Sequence, residues 1–154
     1  MPTTPPAPST IRTLPSWLLG RAAARGRGLV AEALAREGLK MWHHVVLAAV
    51  ADLGPLAQAE LGRSVLLDPK DMVGVVNDLQ ADGFVDRAPD PKDRRKNAIT
   101  ITAEGKRLLA RCTRAAERAN GELLAPLSAD ERARFVEMLT RISGVTEEGA
   151  PGGR

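Results

Sequence analysis

Leu56 to Gly105 reads LAQAELGRSVLLDPKDMVGVVNDLQADGFVDRAPDPKDRRKNAITITAEG, and this stretch decides the fold. It divides into a short helix, a turn, a second helix, and two strands joined by a charged loop. The second helix is marked at both ends. Asp68 is a good N-cap, Pro69 suits the first helical position, and Asp71 stands where a side chain can reach back to the cap. Gly83 closes the helix, since glycine takes a left-handed conformation without a Cβ penalty. Met72, Val75, Val76 and Leu79 recur at helical spacing and form an inward face. The opposite face is Lys70, Val73, Gly74, Asn77 and Ala81. It is small and mixed, neither a charge lattice nor a core surface, which suits a helix laid into a groove.

Beyond Gly83, Phe84 and Val85 favour a strand, and Ile99 and Ile101 alternate with Thr100 and Thr102 to give its partner. Between Ala88 and Ala98, Pro89, Asp90 and Pro91 forbid a long regular element. The tip, Lys92-Asp93-Arg94-Arg95-Lys96-Asn97, carries four cations in five positions, which is costly by self-repulsion unless a polyanion is the partner. Helix, turn, helix and basic hairpin are together the parts of a winged helix-turn-helix that binds double-stranded DNA.

That series, in that order, resembles the MarR family of transcriptional regulators. The likeness is carried by Asp68-Pro69 through Leu79, by Ala81-Asp82-Gly83-Phe84-Val85-Asp86-Arg87, by Asp90-Pro91-Lys92-Asp93-Arg94-Arg95, and by Ile101-Thr102-Ala103-Glu104-Gly105. It extends over Trp17 to Ile142, because the flanking helices also fit. The resemblance implies a mainly α fold with a small β-hairpin wing, in which N- and C-terminal helices form a dimerisation layer above two winged lobes. It implies an arginine at Arg95 in the minor groove, Asp93 holding arginine geometry in the wing, and Arg94 and Lys96 on phosphates. Lys92 belongs to the same basic tip. Along the helix the chain departs from the family's usual Ser, Thr and Arg, offering Lys70, Asp71, Met72, Val73 and Gly74. That shifts the expected readout toward DNA shape and phosphates. Lys70 can reach a phosphate or a guanine edge, Asn77 a base edge or a phosphate, and Val73 a thymine methyl, while Gly74 permits close backbone approach. Asp71 acts through the helix N-terminus or accepts from a cytosine amine. Gln58 and Ser64, flanking the first helix of the motif, are phosphate ligands or simple capping or exposed residues.

The rest of the chain bounds the reading. Its 154 residues suit one domain, and 44% hydrophobic content excludes a disordered protein. Aromatics make up only 3% with no tyrosine, which argues against an RNA-binding sheet or a single-strand platform of stacking rings. Net charge is +3, mildly basic, so charge distribution and not total charge indicates the partner. One cysteine, Cys112, excludes an intrachain disulfide and fits a cytoplasmic location. No apolar run suits a bilayer, so no membrane partner is expected. Two histidines and one cysteine make no convincing metal site. No phosphate-cradling glycine loop and no nucleophile–base pair is visible, so no catalytic residue and no cofactor is assigned.

In order, residues 1–15 read as a disordered arm, 16–53 as N-terminal helices, 54–102 as the winged lobe, 103–143 as C-terminal helices and 144–154 as a flexible tail. Ser16 is expected to cap the first helix, with Leu18, Ala22, Leu29, Val30, Ala33 and Leu34 on its apolar side and Gly38 at its end. Gly54-Pro55 bounds the second helix. Thr102 caps a long helix, and Ser128 with Glu131 forms a capping box for the last. Arg107, Arg111, Arg114 and Arg118 share one face of the long helix, either as a solvated surface with ion pairs or as a supplementary contact. Long helices on both sides of the winged motif are most economically explained by a two-fold homodimer reading a pseudo-palindrome.

Family resemblance further implies release by a small phenolic or other aromatic acid effector. Both tryptophans and both histidines fall in two short stretches, Trp17 with Arg21, and Met41-Trp42-His43-His44. An aromatic wall beside a cation suits an aromatic carboxylate. The reading is therefore a ligand-responsive repressor. An activator, an architectural DNA binder, or a winged module for protein interaction remain its rivals.

Overall fold

The computed structural model describes Pro6 and residues 8–145 of the chain. Among these residues the elements run α1 (Pro15–Arg36), α2 (Met41–Leu53), α3 (Gln58–Val65), α4 (Pro69–Ala81), β1 (Val85–Pro89), β2 (Asn97–Ile101), α5 (Ala103–Leu123) and α6 (Ala129–Ser143). Helices α3 and α4 with the hairpin form one lobe. Helix α1 lies along α5 above it, and α2 joins the two levels.

Local signals explain most boundaries. Asp68 accepts a hydrogen bond from the Lys70 N–H at 2.8 Å, with Pro69 at the first helical position of α4. Asp71 stays in the first turn, where its charge favours the positive end of the helix, but the reach back to the cap is not made. Gly83 takes φ +81° just past α4, and its successor Phe84 N–H donates to Leu79 O at 2.9 Å. This closes the helix and turns the chain into β1. Ser128 and Glu131 form the expected box at α6.

Two boundaries differ. Ser16, the expected cap, lies inside α1; Leu14 is the cap position, and its carbonyl accepts from the Leu18 N–H at 3.0 Å. Pro15 wins the first helical position because its fixed φ is preorganised and its missing N–H loses nothing there. Upstream, Pro8 to Leu14 fold into turns, with Ile11 and Arg12 donating to Pro8 O at 3.2 Å. The remainder of the N-terminal arm, apart from Pro6, and the tail from 146 onward lie outside the described residues.

The core gathers around α2. Val46, Leu47 and Val50 meet Leu34 of α1, Leu61 of α3, Met72, Val75, Val76 and Leu79 of α4, Val85 and Ile99 of the hairpin, and Leu108 and Cys112 of α5. The expected inward face of α4 is thus fully used. Each such side chain contributes about 1.5–3 kcal/mol by burial, so α4 is anchored mainly by packing and not by its own propensity.

β1 and β2 pair antiparallel in the register Val85↔Ile101, Arg87↔Ile99 and Pro89↔Asn97. The strands therefore run further than the side-chain pattern suggested, and the loop narrows to residues 90–96. Pro89 is tolerated at the strand's last position, where no ladder donor is needed. Leu56, ahead of α3, adds an isolated bridge to Ile99, with hydrogen bonds of 2.8 and 3.3 Å.

A small junction ties the lobe to α5. Thr102 Oγ1 donates to Gly83 O at 2.6 Å and accepts from the Gly105 N–H at 3.0 Å, while Thr102 N–H donates to Phe84 O at 3.0 Å. A Cβ on Gly105 would stand 2.1 Å from the Phe84 carbonyl oxygen, so only glycine allows this approach.

Helix α6 buries none of its residues. Phe135, Met138, Leu139 and Ile142 share one face as expected, but with Leu18, Leu19 and Ala22 they line an open apolar groove of about 290 Å³. Met138 is 50% and Ile142 70% exposed, and Leu18 at the N-terminal end of α1 is 47% exposed. The expected apolar side of α1 is therefore buried only toward its C-terminal end, at Leu34.

Candidate nucleic-acid interface

The exposed face of α4 and the hairpin tip belong to one lobe. Lys70, Asp71, Val73, Gly74, Asn77 and Ala81 are all exposed, and Val73 is 44% exposed with its apolar body bare. Among the described residues beyond its own helical turn, nothing comes within 4 Å of where a Cβ on Gly74 would stand, so the backbone is open to a neighbour there. A groove of about 360 Å³ runs between α3 and α4, walled by Gln58, Arg63, Leu67, Met72 and Val73 among others.

The hairpin tip is held from within. Asp90 N–H donates to Lys96 O at 2.7 Å, and Lys96 N–H donates to Asp93 O at 3.0 Å. Asp90 Oδ1 accepts from the Lys92 N–H at 2.8 Å. Asp93 Oδ1 accepts from both the Arg95 N–H at 3.2 Å and Arg95 Nε at 3.1 Å. These bonds from the Arg95 side chain first, then its backbone, hold the Asp93 carboxyl below the usual aspartate range. The Arg95 side chain is 90% exposed, so it is oriented at one edge while its remaining donors face outward. Arg94, Lys92 and Lys96 are exposed beside it.

On α3, Ser64 Oγ donates to Leu61 O at 2.8 Å, which uses its only proton inside the helix. Gln58 is half-buried and its Oε1 accepts from Arg87 Nη2 at 3.1 Å. Asn77 Oδ1 accepts from the same nitrogen at 2.9 Å, and Gln80 Oε1 accepts from Arg87 Nη1. Arg87 is thus a hub of the lobe that no local sequence signal reveals, because its partners come from two other elements.

The six effector candidates are not brought together. Trp17 stacks under the Arg21 guanidinium, 5.1 Å from ring centroid to carbon, in the first turns of α1. Met41, Trp42, His43 and His44 begin α2, past the other end of α1. The 19 steps from Trp17 to Arg36 rise about 28 Å. Sequence proximity within each stretch was legible; this separation was not. Trp42 is 46% exposed. His43 Nε2 bonds Asp78 Oδ2 of α4 at 2.9 Å, and its Nδ1 is buried without a partner among the described residues. His44 is half-buried, and desolvation lowers its pKa. On α5, Arg107 pairs with Glu104, and Arg111 Nε pairs with Glu37, just past α1, at 3.2 Å, so half of that basic face is already engaged. Burial raises the Cys112 thiol first, with Glu37 adding to it, so the group stays protonated.

A helix-turn-helix followed by a cationic antiparallel hairpin defines a winged helix-turn-helix, the architecture of a transcription regulator. The known proteins agree. The MarR family model matches residues 37–96. The transcriptional repressor NicR of Pseudomonas putida is 30% identical over 125 residues, covering 81% of this chain and 79% of its own. The structure of the Mycobacterium tuberculosis MarR family protein Rv2887 in complex with DNA is 30% identical with a TM-score of 0.73, covering 89% of this chain and 98% of that one. CouR from Rhodococcus jostii, bound to p-coumaroyl-CoA, is 29% identical with a TM-score of 0.70, covering 85% and 92%. Rv2887 is also known in complex with p-aminosalicylic acid. The chain belongs to the MarR family, whose members are DNA-binding transcription factors and not enzymes. Among the described residues, no helix is long and apolar enough to cross a membrane.

Proposed function

We propose that the protein is a ligand-responsive transcriptional repressor that binds a pseudo-palindromic operator as a homodimer in the cytoplasm. The observation that carries this is the pairing, on one lobe, of the bare face of α4 with a basic hairpin tip whose arginine is preset by Asp93. In this reading α4 enters the major groove. Lys70, Val73, Gly74 and Asn77 meet bases or phosphates, and Asp71 acts at the helix N-terminus. Arg95 enters the minor groove, where narrow A·T-rich segments attract a guanidinium. Lys92, Arg94 and Lys96 meet phosphates. Gln58 donates to a phosphate, whereas Ser64 would first have to release Leu61 O. NicR, named as a repressor, and the DNA complex of Rv2887 support the reading.

The open groove between α1 and α6 supports a second copy as its occupant, since a monomer leaves Met138 and Ile142 bare. The dimer would set the spacing of two α4 helices at about one turn of DNA. An aromatic acid is the proposed effector, supported by the p-aminosalicylic acid complex of Rv2887. Trp17 with Arg21, and Met41 to His44, could share one pocket only across two protomers, given the length of α1. The ligand would lower DNA affinity by its preference for another lobe spacing, and a 100-fold preference would lower occupancy accordingly.

Fluorescence anisotropy tests the proposal, with DNA from upstream of the protein's own gene against scrambled DNA at several salt concentrations, followed by a panel of aromatic acids. Sequence-preferring binding that weakens steeply with salt, and release by one acid, is the expected result. Equal, weak binding to both DNAs would overturn the specific-repressor reading in favour of an architectural or protein-binding role.

A further inference from the structure

We infer that Arg87 is a positioning residue: it holds the amide oxygens of Asn77 and Gln58 so that both side chains offer DNA only hydrogen-bond donors. The inference rests on the DNA-binding reading above and deepens it.

Arg87 stands on β1, half-buried, between α3 and α4. Its Nη2 donates to Asn77 Oδ1 at 2.9 Å and to Gln58 Oε1 at 3.1 Å, while Nη1 donates to Gln80 Oε1. A guanidinium carries donors and no acceptor, so each amide must turn its oxygen toward Arg87. Planarity then directs each NH2 group away from it. An asparagine that reads adenine uses both atoms, accepting from N6 and donating to N7. With one Oδ1 lone pair on Arg87 and the oxygen turned toward it, Asn77 does not set oxygen and NH2 side by side toward the groove as that edge requires. Phosphate oxygens, the N7 of either purine, guanine O6 and thymine O4 remain as partners.

Charge strengthens the arrangement. Among the described residues Arg87 has no carboxylate ion-pair partner. Its positive charge is therefore spread over neutral amides. Such a chain polarises each amide and makes its outward N–H groups better donors. Asn77 and Gln58 belong to different helices, so one cation also fixes the position of the α3 face relative to the α4 face.

The first test needs no DNA. In nitrogen–proton spectra of the full chain, the side-chain NH2 pairs of Asn77 and Gln58 should lie away from free-amide positions. They should collapse toward those positions in Arg87→Met. Pairs that are unchanged between the two proteins would overturn the inference. Should Arg87→Met fail to fold, Arg87→Lys serves, because one ammonium cannot hold three carbonyl oxygens in the same geometry.

The second test uses selected operator sequences. Asn77→Ala should weaken binding about tenfold without erasing any preference for adenine over guanine. A wild-type preference for adenine over guanine that vanishes in Asn77→Ala would overturn the inference. In a double-mutant cycle, Arg87→Met should cost about tenfold less on the Asn77→Ala background than on the wild type. Fully additive losses would mean that Arg87 acts as an independent charge, and would also overturn it. A wild type with no sequence preference sinks the repressor reading instead, and the spectra then decide the orientation of the amides alone.

Discussion

Arg95 and Arg94 are neighbours with different expected signatures. Arg95 is clasped by Asp93 at 3.1 Å, whereas among the described residues no such clasp orients Arg94. Arg95→Ala is expected to cost about 1–3 kcal/mol of operator affinity and to relax any A·T preference, read by anisotropy on sequence variants. Arg94→Ala should weaken all DNAs alike and lower the log–log salt slope by about 1. The clasp itself tolerates acid: a carboxyl with a lowered folded pKa keeps its contribution above the ordinary aspartate range and loses it only as pH falls through the lowered value. His44 behaves in the same sense at higher pH. Its lowered folded pKa means that stability is complete above the ordinary value of 6.5 and declines as pH falls through the folded value, because the unfolded chain takes up a proton first. Replacing His44 with Gln should remove that slope from a urea-denaturation series. Cys112, 0% exposed with a raised pKa, should resist iodoacetamide until the protein unfolds.

At the scale of elements, α4 was legible because its signals are local: Pro69 and a four-residue apolar face lie within one helix, with Asp68 and Gly83 at its two ends. Leu79→Ala should therefore cost about 2–5 kcal/mol and loosen the recognition face. The turn before α4 was not legible. Leu66 adopts φ 55°, ψ 39° and is 89% exposed, a left-handed conformation on a residue that gains nothing by burial. Leu66→Asn is expected to raise stability by about 0.5–1 kcal/mol, seen as a higher urea midpoint. The Leu56–Ile99 bridge and the Arg87 hub escaped for a different reason. Each joins residues far apart in sequence, and neither composition nor spacing encodes such a meeting. The wing was read from its charge and prolines, yet its strands run further because backbone pairing extends through Pro89 and Asn97, whose side chains give no strand signal.

For the whole molecule, the apolar face of α6 could be read from Phe135, Met138, Leu139 and Ile142, but its exposure could not. Periodicity says which side is apolar and is silent on what covers it. If a second copy covers it, Met138→Glu combined with Ile142→Glu should give a monomer by sedimentation. Operator affinity should fall by at least tenfold as the second half-site loses its tether. A dimer that survives both changes would remove the groove from the interface. The Thr102–Gly105 junction has a mechanical meaning for such a dimer. Because Gly83, Phe84, Thr102 and Gly105 lock the root of the lobe to the start of α5, the lobe has no hinge of its own there. Helix α5, with 21 residues, is then a lever arm of about 31 Å. A tilt of about 10° at its far end swings the lobe by about 5 Å over that length. Leverage of this kind lets a slight repacking between two copies carry a reading head across a groove edge.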